Sequence, residues 1–274
     1  MDPKMAARRV WGNSPAGSAL APGERPGSRD YFETVRKRRK ELEFPWLDSL
    51  IPFSSAAGKK VLEIGCGAGY DAYEFCRLGA FYSGIDLAPE NILLCKRNLS
   101  YEGYDPEISE GDAEALPFGD ESFNIVYSNG VLHHAPDIDR CFREAYRVLK
   151  RGGLFWVILY HKSSVFYWLT LFIFKHILRL GFLKMSFKKR LSMIEYNTAG
   201  AAPLVKAYTR RGLTRKLAKA GFQVEEVKVR KLNPEDLPLA KIFGKLYAAL
   251  IPTKAWEWLG QRFGWYVIAK SVKS

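Results

Sequence analysis

From residue 60 to residue 160, short apolar runs alternate with segments whose apolar positions recur at helical spacing. The runs predict strands over 60–64, 81–85, 106–110, 123–127 and 153–160. The segments between them predict helices over 70–78, 89–100 and 138–149, the second opening on a proline that a first helical turn tolerates. Further on, Thr209 is a candidate N-cap for a helix ending at Gly221, and 222–229 alternates as a sixth strand. Residues 232–263 form a helical excursion and 265–272 a last strand. Such alternation makes a doubly wound α/β sheet whose right-handed crossovers bring the loops after the strands to one carboxyl edge, where open sheets bind ligands.

Ahead of this pattern, Met1 to Arg29 mixes Pro, Gly, Ser and Ala without periodicity and lacks the continuous apolar core of a secretory signal. It is expected to be a flexible arm, with Trp11 as the one large apolar residue that could fold back over a site. From Asp30, the positions of Tyr31, Phe32, Val35, Leu42 and Phe44 predict a helix ending before Pro45. The basic run Arg36 to Lys40 within it reads as a solvated face rather than a nucleic-acid contact.

The first strand leads into Val61-Leu62-Glu63-Ile64-Gly65-Cys66-Gly67-Ala68-Gly69, and the second ends in Gly84-Ile85-Asp86-Leu87. A glycine turn lets the backbone approach a ligand, and an acid after the second strand can accept hydrogen bonds from a ribose. The glycines read G-x-G-x-G with Tyr70 in the sixth place, and Glu63 lies two residues before the turn. A dinucleotide pyrophosphate would disfavour that anion, whereas a ligand carrying an ammonium group and no phosphate suits it.

Four blocks in this order, VLEIGCGAG, GIDLAPE, Gly111 to Phe118 (GDAEALPF) and Phe123 to His134 (FNIVYSNGVLHH), followed by Leu149-Lys150-Arg151-Gly152-Gly153-Leu154, resemble the class I S-adenosylmethionine-dependent methyltransferases, more narrowly their type 11 small-molecule branch. The resemblance covers roughly 59–160. It implies a Rossmann-like, seven-stranded sheet whose last strand is antiparallel and inserts between strands five and six, with a helical insert after strand five. It divides the chain into the arm 1–29 and one methyltransferase domain, 30–274, made of a cofactor-binding core (59–160), a cap (161–207) and a C-terminal part of the sheet (208–274).

Carried over position by position, the resemblance gives Glu63 the methionine ammonium of S-adenosylmethionine and lets Gly65, Cys66 and Gly67 pass close to the methionine part and ribose. It gives Asp86 the ribose hydroxyls, Leu87 an adenine face, Asp112 the adenine amine and the Ala113 amide a ring nitrogen. Ser128 and Asn129 face the carboxylate and sulfonium end. Methyl transfer leaves S-adenosylhomocysteine and gains most of its rate from proximity and exclusion of water. His133, His134 and His161 are the candidates should a protonated nucleophile need a base. Tyr31, Tyr196, Asn197, Tyr208 and Arg210 are candidate acceptor-pocket residues.

Several substrate classes are disfavoured. After strand four the chain has Ser128-Asn129-Gly130-Val131 where base-amine methylation uses an Asn/Asp-Pro-Pro-aromatic run, and it has no double-glutamate loop of the arginine-methylating kind. Cys141 sits mid-helix rather than in a Pro-Cys loop, and His134, Asp137 and Asp139 lack a second acid cluster, so no metal is expected. The four cysteines form no C-x-x-C pair, which points to a reduced, cytosolic setting.

Composition adds one surprise. The net charge is +13, and residues 160–230 hold fifteen Lys or Arg against three Glu. That stretch contains SSVFYWLTLFIFKHILRLGFL (163–183), whose apolar run, broken at Lys175 and Arg179, is shorter than the roughly 20 residues a membrane span needs. Three readings stay open for 163–190: a helical cap packed on the sheet, a lid over a greasy or acidic substrate, and an interfacial element lying on anionic lipid. Nucleic acid is a poor fit, because no stacking or groove-reading module accompanies the charge. The expected activity is methylation of a small, largely apolar acceptor. Its alternatives are a membrane-surface quinone or lipid methyltransferase and a non-catalytic cofactor-binding partner protein.

Overall fold

The computed structural model describes residues 2–51, 53–195 and 200–274. Helices α1 (Pro3–Asn13), α2 (Arg29–Arg38) and α3 (Leu47–Leu50) precede the sheet, α2 running on as a wider π-type turn over Arg39–Glu43. The alternating core follows as β1 (Lys60–Ile64), α4 (Tyr70–Arg77), β2 (Phe81–Asp86), α5 (Pro89–Ser100), β3 (Glu107–Glu110), β4 (Phe123–Asn129), α6 (Ile138–Val148) and β5 (Leu149–Tyr160). After the insert helix Phe166–Leu178 come α7 (Phe187–Ser192), α8 (Arg210–Lys219), β6 (Phe222–Arg230), α9 (Ala240–Leu250), α10 (Thr253–Phe263) and β7 (Tyr266–Lys273).

The strand order is β3-β2-β1-β4-β5-β7-β6. All pairs are parallel except those of β7, which runs antiparallel between β5 and β6 as the resemblance implies. Central strands β1 and β4 are buried along nearly their whole length because both faces are covered. One face packs Phe53, Phe75, Tyr127 and Trp156 beneath α3 and α4, the other Phe142, Phe155, Leu213 and Phe222 beneath α6 and α8. Chain order reverses between β1 and β4, so the loops after these strands diverge and leave a crevice at the carboxyl edge.

The amino-terminal segment departs from expectation: Pro3–Asn13 is helical, with Asp2 as N-cap and Pro3 in the first turn. Its inward stripe is Ala6, Ala7 and Val10, all buried. Alanines give this stripe too little hydropathy for periodicity to reveal it. Beyond it, Gly17 to Ser28 runs as turns around a short 3-10 helix, Ser18–Leu20, with Ala21 buried.

Candidate active site

The crevice encloses about 1100 Å³, counted to its open mouth, and is lined from the ends of β1, β2 and β4, the loop after β3, and α1. Gly65 (φ +80°) and Gly67 (φ +53°) turn the chain at its floor in the left-handed region. A Cβ on Gly65 would lie 2.3 Å from Val131 Cγ2, whereas one on Gly67 would meet nothing within 4 Å. The first glycine is required for packing. The second leaves open space toward the crevice.

Asp86 organises this turn. Its Oδ2 accepts from the Gly67 amide (2.9 Å), and its Oδ1 accepts from the Ala88 amide (2.9 Å) and Asn91 Nδ2 (3.1 Å). Burial raises the Asp86 pKa against the opposing pull of these donors. Leu87 and Ala113 line the crevice near it, as do Glu63, Cys66, Asp112 and Asn129.

One end carries a buried charge cluster. Glu63 is almost wholly buried and accepts from Tyr82 Oη (2.5 Å). Asp71 accepts from Tyr127 Oη (2.9 Å) and Asn129 Nδ2 (3.0 Å) through Oδ2, and its Oδ1 meets Arg39 Nη1 at 3.3 Å. Arg39 lies over the rings of Tyr70 and Phe44, at 5.1 and 5.0 Å; burial opposes its charge, but Asp71 and Glu43, with Tyr127 and Tyr70, together prevail and raise its pKa. Burial, then the charge of Asp71, pushes the Glu63 carboxyl well up. The guanidinium also meets Glu43 Oε2 at 4.0 Å, so the carboxyl groups of Asp71, Glu43 and Glu63 outnumber the one cation among them, which suits a further cation.

At the other end α1 closes over the crevice. Lys4 Nζ bridges Asp112 Oδ2 (2.6 Å) and Glu114 Oε2 (2.7 Å), and Arg8 pairs with Glu110 (2.9 Å). Burial works against the Lys4 ammonium, but its hydrogen bonds to both acids, with their charges, prevail and raise its pKa. Asp112 Oδ1 accepts from the Glu114 amide at 2.9 Å.

His134 is the histidine that faces the crevice. Its Nδ1–H donates to Leu204 O (2.7 Å), so neutral Nε2 carries a lone pair and has no hydrogen-bond partner among the described residues. Its ring lies against Trp11 at 5.4 Å, and burial lowers its pKa to about 4. His133 is set behind it, between the His134 and Tyr160 rings (4.1 and 3.9 Å), and burial, then the neighbouring His134, holds its pKa well below the usual imidazole value.

Other expected residues lie apart. His161 is buried outside the crevice, its Nδ1–H donating to Gly264 O (3.0 Å) while its backbone bridges to Tyr208. Tyr208 belongs to the core beneath α6 and α8, and Arg210 is exposed, donating to Gln261 O (2.9 Å). The Ser128 hydroxyl donates to Ile64 O (2.9 Å) within the sheet, so it serves β1–β4 packing. Tyr31 packs with Phe32, Val35 and Tyr70, one layer behind the crevice wall. Tyr196 and Asn197 lie outside the described residues.

Arg39, Asp71 and Lys4 were not among the sequence candidates. Tyr31, Val35 and Arg39 share an i, i+4, i+8 stripe, a signal that Arg39 turns inward. Asp71 looks like an ordinary first-turn acid, and nothing local marks Lys4.

Comparison with known proteins agrees with this geometry. Residues 62–157 match the family described as "Methyltransferase domain". A phthiotriol/phenolphthiotriol dimycocerosates methyltransferase of Mycobacterium tuberculosis is 43% identical over 100 residues, 36% of each chain. A fatty-acid O-methyltransferase of Mycolicibacterium smegmatis is 40% identical over 100 residues, again 36% of each. The matched stretch thus spans about a third of these relatives. Among solved structures, an S-adenosylmethionine-dependent methyltransferase from Mesorhizobium loti aligns with TM-score 0.56 and 18% identity over 84% of this chain and 97% of that one. The [4+2]-cyclase SpnF aligns with TM-score 0.61 and 18% identity over 98% of this chain and 96% of that one. Residues 62–157 thus match the methyltransferase-domain family, and the chain as a whole shares its fold with these solved structures.

Proposed function

We propose that this protein transfers a methyl group from S-adenosylmethionine to a small, lipid-like acceptor. The observation that carries the reading is the excess carboxylate of the Glu63–Asp71–Arg39 cluster, in the same crevice as Asp86. A cofactor with an ammonium at one end and ribose hydroxyls in the middle matches that donor set. When bound, it supplies an activated methyl on sulfur.

The chain's own residues would hold and shield. Glu63 and Asp71 face the ammonium, Arg39 attracts the carboxylate, and Asp86 accepts from the ribose. Asp112 reaches the adenine amine only by sharing or releasing Lys4. Trp11, Val131, Leu132 and Pro136 give the mouth an apolar wall that excludes water and favours an apolar acceptor. The Nε2 of His134 can accept a proton from an acceptor hydroxyl or carboxylic acid, and its low pKa keeps that lone pair available at neutral pH.

The phthiotriol and fatty-acid substrates named for the two relatives support a lipid-like acceptor. Such acceptors reside in bilayers, so the reading includes peripheral contact of 163–190 with anionic membrane. The four free thiols support a reduced, cytosolic setting. Calorimetry with S-adenosylhomocysteine, followed by labelled-methyl transfer to a panel of hydroxylated and carboxylated lipids, tests the proposal. It expects binding that NADH does not compete, and label in an organic-extractable product. Absence of S-adenosylhomocysteine binding overturns it, and cofactor binding without label transfer favours a non-catalytic partner protein.

A further inference from the structure

Nineteen large apolar side chains are exposed among the described residues, and thirteen of them fall within 168–183 and 239–250. Scattered exposure needs no explanation, but concentration on two short segments does. On α9, Ile242, Leu246 and Leu250 form an i, i+4, i+8 stripe with exposures of 71, 49 and 69%, and none of the helix's eleven residues is buried. The insert helix buries Tyr167, Thr170, Leu171 and His176, while Leu178 and the turn residue Leu183 stand 68 and 72% exposed.

The two segments adjoin. Thr170 Oγ1 donates to Asp236 O, just ahead of α9, and the Lys175 ammonium feels the charge of Lys241 on α9. Their cations form one set. Residues 161–194 contain seven Lys or Arg and no acid, and 237–256 contain three Lys and no acid. None of these ten pairs with an acid among the described residues.

The patch also connects to the crevice. The Phe166 ring meets Trp265 edge-on at 5.0 Å, Trp265 stacks on Tyr160 at 4.4 Å, and Tyr160 lies against His133, the neighbour of His134. No described helix is long and apolar enough to cross a membrane. A short apolar helix with a cationic rim lies in the plane of a bilayer instead.

We propose that the insert helix and α9 together form an in-plane docking face for an anionic lipid bilayer. A second copy of this chain fits less well, since the two cationic rims would repel. The proposal rests on the lipid-acceptor reading and adds α9 to it.

Co-flotation of the full chain with phosphatidylcholine vesicles, with and without about 30% phosphatidylglycerol, tests it at physiological and high salt. The expected result is binding to the anionic vesicles only, weakened by salt. It should fall at least tenfold in Ile242→Glu/Leu246→Glu and, separately, in Lys184→Glu/Lys188→Glu/Lys189→Glu. These residues are exposed or rimward, so S-adenosylhomocysteine binding, measured in parallel, should match wild type and report that the variants are folded. Wild type that stays with the unbound fraction overturns the docking face. So does an Ile242→Glu/Leu246→Glu variant that floats as well as wild type, or one that instead converts a dimer to monomer in sedimentation. Loss of S-adenosylhomocysteine binding in wild type would count against the methyl-transfer reading and leave the flotation result standing.

Discussion

Replacing Asp86 by asparagine alters one atom and breaks a balance that the structure makes explicit. The carboxylate's three closest protein contacts are donors: the Gly67 and Ala88 amides and Asn91 Nδ2. An asparagine has one acceptor oxygen. With its oxygen toward Ala88 and Asn91, its NH2 confronts the Gly67 N–H; turned over, it confronts the other two. The milder orientation leaves one buried amide without an acceptor, at about 1–3 kcal/mol. Part of this is offset, because burial already disfavours the Asp86 charge, so the expected net loss of stability is about 1–2 kcal/mol. Ligand binding should suffer more. Ribose hydroxyls would lose a charged acceptor worth about 1.5–3 kcal/mol, roughly a ten- to hundredfold rise in Kd for S-adenosylhomocysteine. Calorimetry gives the Kd and urea titration the stability. The decisive comparison is a 2′,3′-dideoxy analogue, whose affinity should be lower than the parent's in wild type and nearly equal to it in Asp86→Asn. Equal Kd values for the parent ligand in both proteins, or an undiminished dideoxy penalty in the variant, would refute the role given to Asp86.

Three further perturbations follow from the same geometry. Gly65→Ala forces a Cβ to within 2.3 Å of Val131 at a φ of +80°, so it should cost roughly 2–3 kcal/mol by urea titration; Gly65→Ala/Val131→Ala should recover part of that, and no recovery would show that the clash is not the cause. Arg39→Met leaves Glu63 and Asp71 without their shared cation and should destabilise by about 3 kcal/mol, with Glu63→Gln in the same chain restoring a measurable fraction; equal stability of the single and double variants would contradict the shared charge. His134 stays neutral when folded down to a pKa of about 4, whereas the unfolded chain takes up its proton near 6.5. Its contribution is therefore complete above pH 6.5 and drains as pH falls toward 4, by about 3 kcal/mol. Urea midpoints between pH 7.5 and 4.5 should fall more steeply in wild type than in His134→Gln, and parallel slopes would remove His134 as a source.

The glycine turn and the acid that lines the crevice beside it were legible because these parts are local. Gly65, Gly67 and Asp86 each sit at the end of a predicted strand, and register alone brings β1 beside β2. The surroundings of the expected acceptor residues were not. Tyr208 and Arg210 lie near His161 along the sheet edge, but the chain turns them toward α6 and solvent, and hydropathy does not encode which way a loop turns. Arg39 was hidden in a run of five basic residues that reads as a wet face, until the π-type turn after α2 sets it between Tyr70 and Phe44. Lys4 lies 108 residues from Asp112, and such a pairing has no signature in either segment.

The place of β7 has a consequence for how the chain comes together. Among the described residues, strand β6 bonds to no strand but β7, and β7 bridges it to β5. Ribosomal synthesis delivers β6 well before the partner that attaches it, so one flank of the sheet stays open while α9 and α10 emerge. Until residues 266–273 dock, the edge of β5 offers unsatisfied amides and carbonyls to any passing strand. The final ribbon therefore acts as a keystone, and misassembly should begin at the seam it seals.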